Sequence, residues 1–145
     1  MENSIKNCMY CENKEKLDNL VIHIADLPVS KLFLTKEQTY YGRCSLAYKD
    51  HGAEITDLSD ADLALYMQDV KKAAIAIQKV VCPDKINYGM YSDNLPHIHM
   101  HIVPKQRDGY SFGGAFDLHL QSPKYLSDEE YRLLIQEIMS ALDNL

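Results

Sequence analysis

A net excess of positive charge is missing: fifteen Lys and Arg stand against twenty-one Asp and Glu, a formal net charge of -6 in 145 residues. That balance excludes a protein that coats nucleic acid, which needs a basic face able to displace counterions from phosphates. A phosphate-bearing ligand has to be met by a local site instead. Missing too is any apolar run approaching the ~20 residues that span a bilayer, and the stretch Met1 to Asn7 has no apolar core of a secretion leader. The expectation is a soluble, cytoplasmic protein whose partners include neither nucleic acid nor membrane. Cysteine is sparse, at Cys8, Cys11, Cys44 and Cys82, and without a leader these are expected as thiols or metal ligands rather than as two disulfides. No internal repeat, low-complexity tract or linker interrupts the chain. Residues 1–145 therefore read as one domain, long enough to bury a core without covalent staples.

What the chain does have is His97-Ile98-His99-Met100-His101-Ile102-Val103, closed by Pro104-Lys105. In an extended strand over residues 97–103, side chains alternate between faces, so the three histidines share one face and Ile98, Met100 and Ile102 the other. Neighbouring imidazoles then stand roughly 6.6–7 Å apart along the backbone, close enough to share a phosphate or a metal ion.

The rest of the chain supplies the scaffold. Residues 20–24 and 31–35 read as short strands with Pro28 between them, and His23, inside the first apolar run, reads as a packing residue. The charged residues 13–19 read as loop. After a turn at Gly42, residues 43–49 form a third strand with Cys44, Leu46 and Tyr48 inward, followed by His51 in a loop. Residues 56–81 carry the longest helical signal, with Ser59 and Asp62 as a capping box and Leu63, Tyr66, Met67, Val70, Ala73, Ala74, Ile77 and Val80 as the apolar stripe. Cys82-Pro83 ends it. A further strand over 85–91 turns through Ser92 to Pro96 into the histidine strand, an antiparallel hairpin that brings Asn87 back towards the imidazoles. Residues 106–114 are loop. Ser127 and Glu130 form a capping box opening a second amphipathic helix over residues 127–143.

Cys8-Met9-Tyr10-Cys11 lies too near the start to follow a core strand, as a thioredoxin-like redox pair does. Two thiolates at this spacing suit one edge of a tetrahedral zinc site that needs two further ligands, for which His51 is a candidate. Three chemistries remain open for the histidines: chelation of one catalytic metal, simple packing, or nucleophilic attack on phosphorus by one ring while its neighbour polarises the phosphate.

The run His-apolar-His-apolar-His-apolar-apolar, preceded by Asn87-Tyr88-Gly89 and a short turn, resembles the histidine triad (HIT) family of nucleotide hydrolases and transferases. The likeness extends to the N-terminal Cys-x-x-Cys and to His51 ahead of the long helix. It implies an α+β fold, an antiparallel sheet of about five strands with a long helix packed across it and a C-terminal helix, and homodimers whose sheets join. It also implies His99 as a nucleophile at the α-phosphorus of a nucleoside 5′-phosphate derivative, a dinucleoside polyphosphate or phosphoramidate, through a covalent nucleotidyl-histidine. His101 then donates to the phosphate oxygens, and Asn87 and Asn94 stand around the same phosphate. In zinc-bearing relatives the first histidine of the triad completes a closed site, which implies a structural zinc held by Cys8, Cys11, His51 and His97, with no organic cofactor. The acid that grips ribose in many members corresponds to the stretch Thr35 to Gln38, where Glu37 is the carboxylate. A nucleotidyltransferase using the same intermediate, or a non-catalytic nucleotide- or zinc-binding module, is the alternative.

Overall fold

The computed structural model describes residues 5–145; the stretch read above for a leader falls partly outside them, at residues 1–4. The elements in chain order are α1 (Lys14–Leu20), β1 (Val21–Asp26), β2 (Ser30–Thr35), β3 (Cys44–Tyr48), α2 (Asp60–Val81), β4 (Lys85–Gly89), β5 (His99–Lys105) and α3 (Asp128–Asp143). The strands form one antiparallel sheet in the order β1-β2-β3-β5-β4. This five-stranded sheet with helices is the expected α+β architecture.

One face of the sheet carries the main core. Leu32, Leu34, Cys44, Leu46, Ile98 and Ile102 are buried there against Tyr66, Val70, Ala73 and Ile77 of α2 and Tyr131, Leu134 and Ile138 of α3. The expected inward set on β3 is thereby met, and Cys44 is a fully buried small apolar group. Ser45 and Ala47 are buried as well, because the N-terminal segment, with Met9 and Leu17, packs over the opposite face.

Several boundaries differ from expectation for identifiable reasons. The charged stretch read as loop is α1, nucleated by the Asn13 side chain, which accepts from the Lys16 amide, and anchored by buried Leu17. The Ser59 hydroxyl caps α2 as expected, but the reciprocal half of the box is not formed, since the Asp62 carboxylate accepts from the Tyr48 hydroxyl at 3.0 Å. A short 3-10 turn at Ile55–Asp57 precedes it. Met67 is 46% exposed and leaves the core stripe, whereas Asp69 is buried. Cys82 closes α2 in the left-handed conformation, φ +50°. His23 is exposed rather than packed and lies 2.9 Å from Asp26.

The histidine strand starts two residues later than expected. Ile98 continues the pairing through single bonds, its amide donating to Gly52 and its carbonyl accepting from Tyr48, but the carbonyl of His97 accepts from two side chains instead. Ladder pairing with β3 begins at His99, opposite Ala47.

The Asp69 carboxylate joins α2 to the β1–β2 turn by accepting from the Val29 amide at 3.0 Å and the Ser30 hydroxyl at 2.7 Å. Truncating it strands two donors under the helix. Asp69→Ala is expected to lower unfolding free energy by ~2–4 kcal/mol in urea titration, with the unfolding slope unchanged.

Candidate active site and metal centre

The face of β5 away from the helices holds two arrangements side by side. In the first, Cys8, Cys11, His51 and His97 bring four potential ligand atoms within 4.8 Å of one another. Cys8 Sγ and Cys11 Sγ lie 3.3 and 3.5 Å from His97 Nδ1, and Cys11 Sγ lies 3.4 Å from His51 Nδ1. A tetrahedral zinc with bonds of about 2.3 Å to sulfur and 2.0 Å to nitrogen separates S from N by about 3.5 Å, so these three separations already match such an ion and the four donors suit it in kind. The orientation of His97 agrees. Its Nε2 lies 2.8 Å from the Tyr48 carbonyl, which only accepts, so Nε2 carries the proton and the Nδ1 lone pair faces the thiols.

In the second arrangement the tautomer reverses. His99 Nδ1 donates to the His97 carbonyl at 2.7 Å, and the Ser92 hydroxyl donates to the same oxygen at 3.0 Å. The proton of His99 thus sits on Nδ1 and its lone pair on Nε2. Burial lowers the His99 pKa despite the opposing carbonyl bond, which keeps the ring neutral. Ser92 reaches this carbonyl from a left-handed backbone, φ +64°. His101 lies beside it, ring centroids 5.1 Å apart, with Arg43 Nη2 3.3 Å from its Nδ1. Burial, then the Arg43 charge and His99, push the His101 pKa down to about 3.

His99 and His101 open into a cavity of about 520 Å³, within the size range of small-ligand sites. Arg43 and Ser45 of the β3 segment and Glu37 form its polar wall, and Tyr10, Leu20 and Val21 an apolar one. The segment after β5 closes it, contributing Leu118, His119 and Tyr125. That segment is tied down by Lys105, whose Nζ donates to the Ser111 and Gly114 carbonyls, and by Tyr40, whose hydroxyl meets Ser111 Oγ and the Asp117 amide. Phe116 packs over His101, centroids 5.9 Å apart. Tyr10, between the two cysteines, stands at the junction of both arrangements: its ring lies 4.9 Å from that of His97 and 5.5 Å from that of His99, and its hydroxyl meets Ser45 at 3.1 Å. Burial pushes its pKa up to about 12.

The six expected cysteine and histidine ligands or catalysts are thus brought together. Asn87 is half-buried on the histidine side of β4 opposite Val103, Asn94 is exposed in the turn, and neither lines the cavity. Lys105 Nζ serves the covering segment through the Ser111 and Gly114 carbonyls. Sequence reasoning missed Arg43, Ser45, Ser92 and Tyr10. The alternation Arg43, Ser45, Ala47 against Cys44, Leu46, Tyr48 holds the signal for the first two, but it needs the pairing of β3 with β5 to point them at the histidines.

Residues 15–108 match the model of the HIT domain family. The chain belongs to that family. Among HIT proteins it is 29% identical to an adenosine 5′-monophosphoramidase of Schizosaccharomyces pombe, over 94% of this chain and 98% of the relative. Its fold matches a histidine triad protein of Bradyrhizobium japonicum at TM-score 0.80 and 22% identity, covering 88% and 94% of the two chains. A zinc-bound histidine triad family protein of Mycobacterium smegmatis matches at TM-score 0.68 and 18% identity, covering 97% and 96%. No helix of the described residues is long and apolar enough to cross a membrane.

Proposed function

We propose that the protein is a nucleotide hydrolase that attacks the α-phosphorus of a nucleoside 5′-phosphate anhydride or amidate through His99. The observation that carries this reading is the 2.7 Å bond from His99 Nδ1 to the His97 carbonyl, which leaves a neutral ring with its Nε2 lone pair free at the cavity wall. The lone pair forms a P–N bond while the bond from phosphorus to the leaving group breaks with its electron pair; an anhydride's phosphate leaves as it is, and an amidate's nitrogen takes a proton from solvent and leaves as the amine. Water then attacks the nucleotidyl-histidine, the P–N electrons return to Nε2, and a proton of the water is released. His101 donates from Nε2 to a non-bridging oxygen. The Glu37 Oε2 atom, buried with no hydrogen-bond partner in this cavity, is the acceptor for a ribose hydroxyl. The relationship to a monophosphoramidase supports a substrate of this class.

The cluster of Cys8, Cys11, His51 and His97 is assigned a structural zinc ion, as the spacing of its donors and the existence of a zinc-bound relative support. Cys8, Cys11, His51 and His97 would hold it, and it would then cross-link the N-terminal segment to the start of the histidine strand. A second copy of the chain is assigned to the free edge of β4. Tyr88 is 49% exposed on that edge, and beside it Met67, Val70, Ala74 and Met100 form an apolar groove against α2.

With a nucleoside phosphoramidate labelled at the α-phosphorus, quenching in denaturant at alkaline pH, where a P–N bond to histidine survives, and peptide mapping are expected to find the nucleotidyl group on His99. His99→Gln abolishes both label and turnover while retaining the wild-type melting curve; turnover near wild type contradicts the assignment. Cys8→Ser is expected to weaken zinc affinity by at least ~10–100-fold, the cost of disturbing even the outer partners of such sites, and to lower Tm. Full metal loading in that variant removes the cluster. Tyr88→Lys is expected to shift sedimentation from dimer to monomer; an unchanged sedimentation coefficient removes the β4 interface.

A further inference from the structure

We infer that Arg43 is a catalytic residue of this site, whose guanidinium takes the α-phosphate while holding His101 in the tautomer that donates to the same phosphate. The inference rests on the hydrolase reading above and adds to it the group that carries the positive charge.

Arg43 immediately precedes β3 and is 6% exposed. A buried guanidinium is ordinarily met by a carboxylate, because an uncompensated charge in a low-dielectric interior is costly. Arg43 makes no ion pair among the described residues, and its Nε is buried with no hydrogen-bond partner. Its contacts are Nη2 to His101 Nδ1 at 3.3 Å and the Phe116 ring, 5.8 Å from Cζ to the centroid. Neither supplies negative charge. The one carboxylate that acts on it, Glu37 across the same cavity, is not within ion-pair distance, so the guanidinium keeps donors for an anionic ligand, in a chain whose overall charge of -6 makes a resident positive site a specific construction.

The same contact settles a proton. An arginine side chain only donates and does not lose its charge. His101 Nδ1 must then accept, so the ring proton is on Nε2, the nitrogen left to meet a ligand. Arg43 and His101 together present a charged donor and a neutral donor with fixed protons. Glu37 Oε2, a second buried atom without a partner in this cavity, asks for a donor. A ligand that satisfies all three carries an anion and a hydroxyl, which a nucleoside 5′-monophosphoryl group does.

In the covalent step, Nε2 of His99 bonds to phosphorus and the bond to the leaving group breaks with its electron pair; a phosphate leaving group departs without needing a proton. Arg43 and His101 keep their protons throughout and stabilise the charge that accumulates on the non-bridging oxygens.

The test compares wild type, Arg43→Gln and Arg43→Lys for calorimetric binding of adenosine 5′-monophosphate and of adenosine, for the rate of nucleotidyl labelling, and for Tm. Arg43→Gln is expected to lose ~100-fold or more in monophosphate affinity with adenosine affinity held within about 2-fold, and to label ~10²–10³-fold more slowly. Arg43→Lys is expected to recover most of the monophosphate affinity but not the labelling rate, since an ammonium lacks the fork that holds an imidazole and a phosphate together. The ¹⁵N imidazole spectrum of His101 is expected to change from a single Nε2–H tautomer to a mixture in Arg43→Gln. Wild-type monophosphate affinity or labelling in Arg43→Gln overturns the inference, and if that variant does not fold, wild-type labelling in Arg43→Lys does so. Should wild type label with no nucleotide while the monophosphate affinity still depends on Arg43, the hydrolase reading falls and the anion-holding role stands.

Discussion

The carbonyl oxygen of His97 is the point on which the site turns. It accepts from the Nδ1 of His99 and from the Ser92 hydroxyl, and because it does so it is withdrawn from the sheet ladder, which starts only at the next histidine. The side chain of the same residue faces the opposite way, into the thiols. One residue therefore gives its imidazole to the cluster of Cys8, Cys11 and His51 and its backbone to the neighbouring ring. The protons then alternate along the strand: Nε2 on His97, set by the Tyr48 carbonyl; Nδ1 on His99, set by the His97 carbonyl; Nε2 on His101, set by Arg43. Three chemically identical side chains acquire three environments because the second nitrogen of each meets a different partner.

The fold makes this possible by sealing the back of the strand. Ile98 and Ile102 are buried in the core to which α2 contributes, which turns the histidine face of the strand away from the helices. The front is closed by two pieces of chain with little regular structure. The Cys8 to Cys11 segment brings Tyr10 against both His97 and His99, so that order in the cluster and order at the cavity wall are mechanically joined. The segment after β5 brings Phe116 over His101 and is itself held by Tyr40 and by buried Lys105. Desolvation by these covers lowers the pKa of each triad histidine, keeping the rings neutral, with Arg43 the charged donor beside His101.

Much of this was legible in the residues. Period-two alternation placed the histidines and the isoleucines on opposite faces, the 3.6-residue period and Pro83 bounded α2, and the Ser127 to Glu130 box opened α3. The Cys-x-x-Cys spacing left two ligands to find, and the HIT likeness named His51 and His97. What stayed hidden was whatever depends on tertiary neighbours. Arg43 read as the polar start of a strand, since nothing local says that β3 lies beside β5 rather than β4. Residues 13–19 read as loop, and Leu20 as the start of a strand, because a seven-residue helix with one buried leucine has almost no periodic signal. His23 read as core because an apolar run does not reveal that its strand is at the sheet edge. The start of β5 was misplaced by two residues because the withdrawal of the His97 carbonyl is caused by side chains, Ser92 and His99, that strand propensity does not count.

The alternation of tautomers is directly observable. Two-bond ¹H–¹⁵N correlation spectra of the zinc-loaded protein, with imidazoles assigned by single His→Gln variants, report which nitrogen of each ring bears the proton. Nδ1–H with an unprotonated Nε2 is expected for His99, and Nε2–H with metal-shifted Nδ1 for His97. A His99 ring protonated on Nε2 would leave no lone pair facing the cavity and would contradict the account at its root.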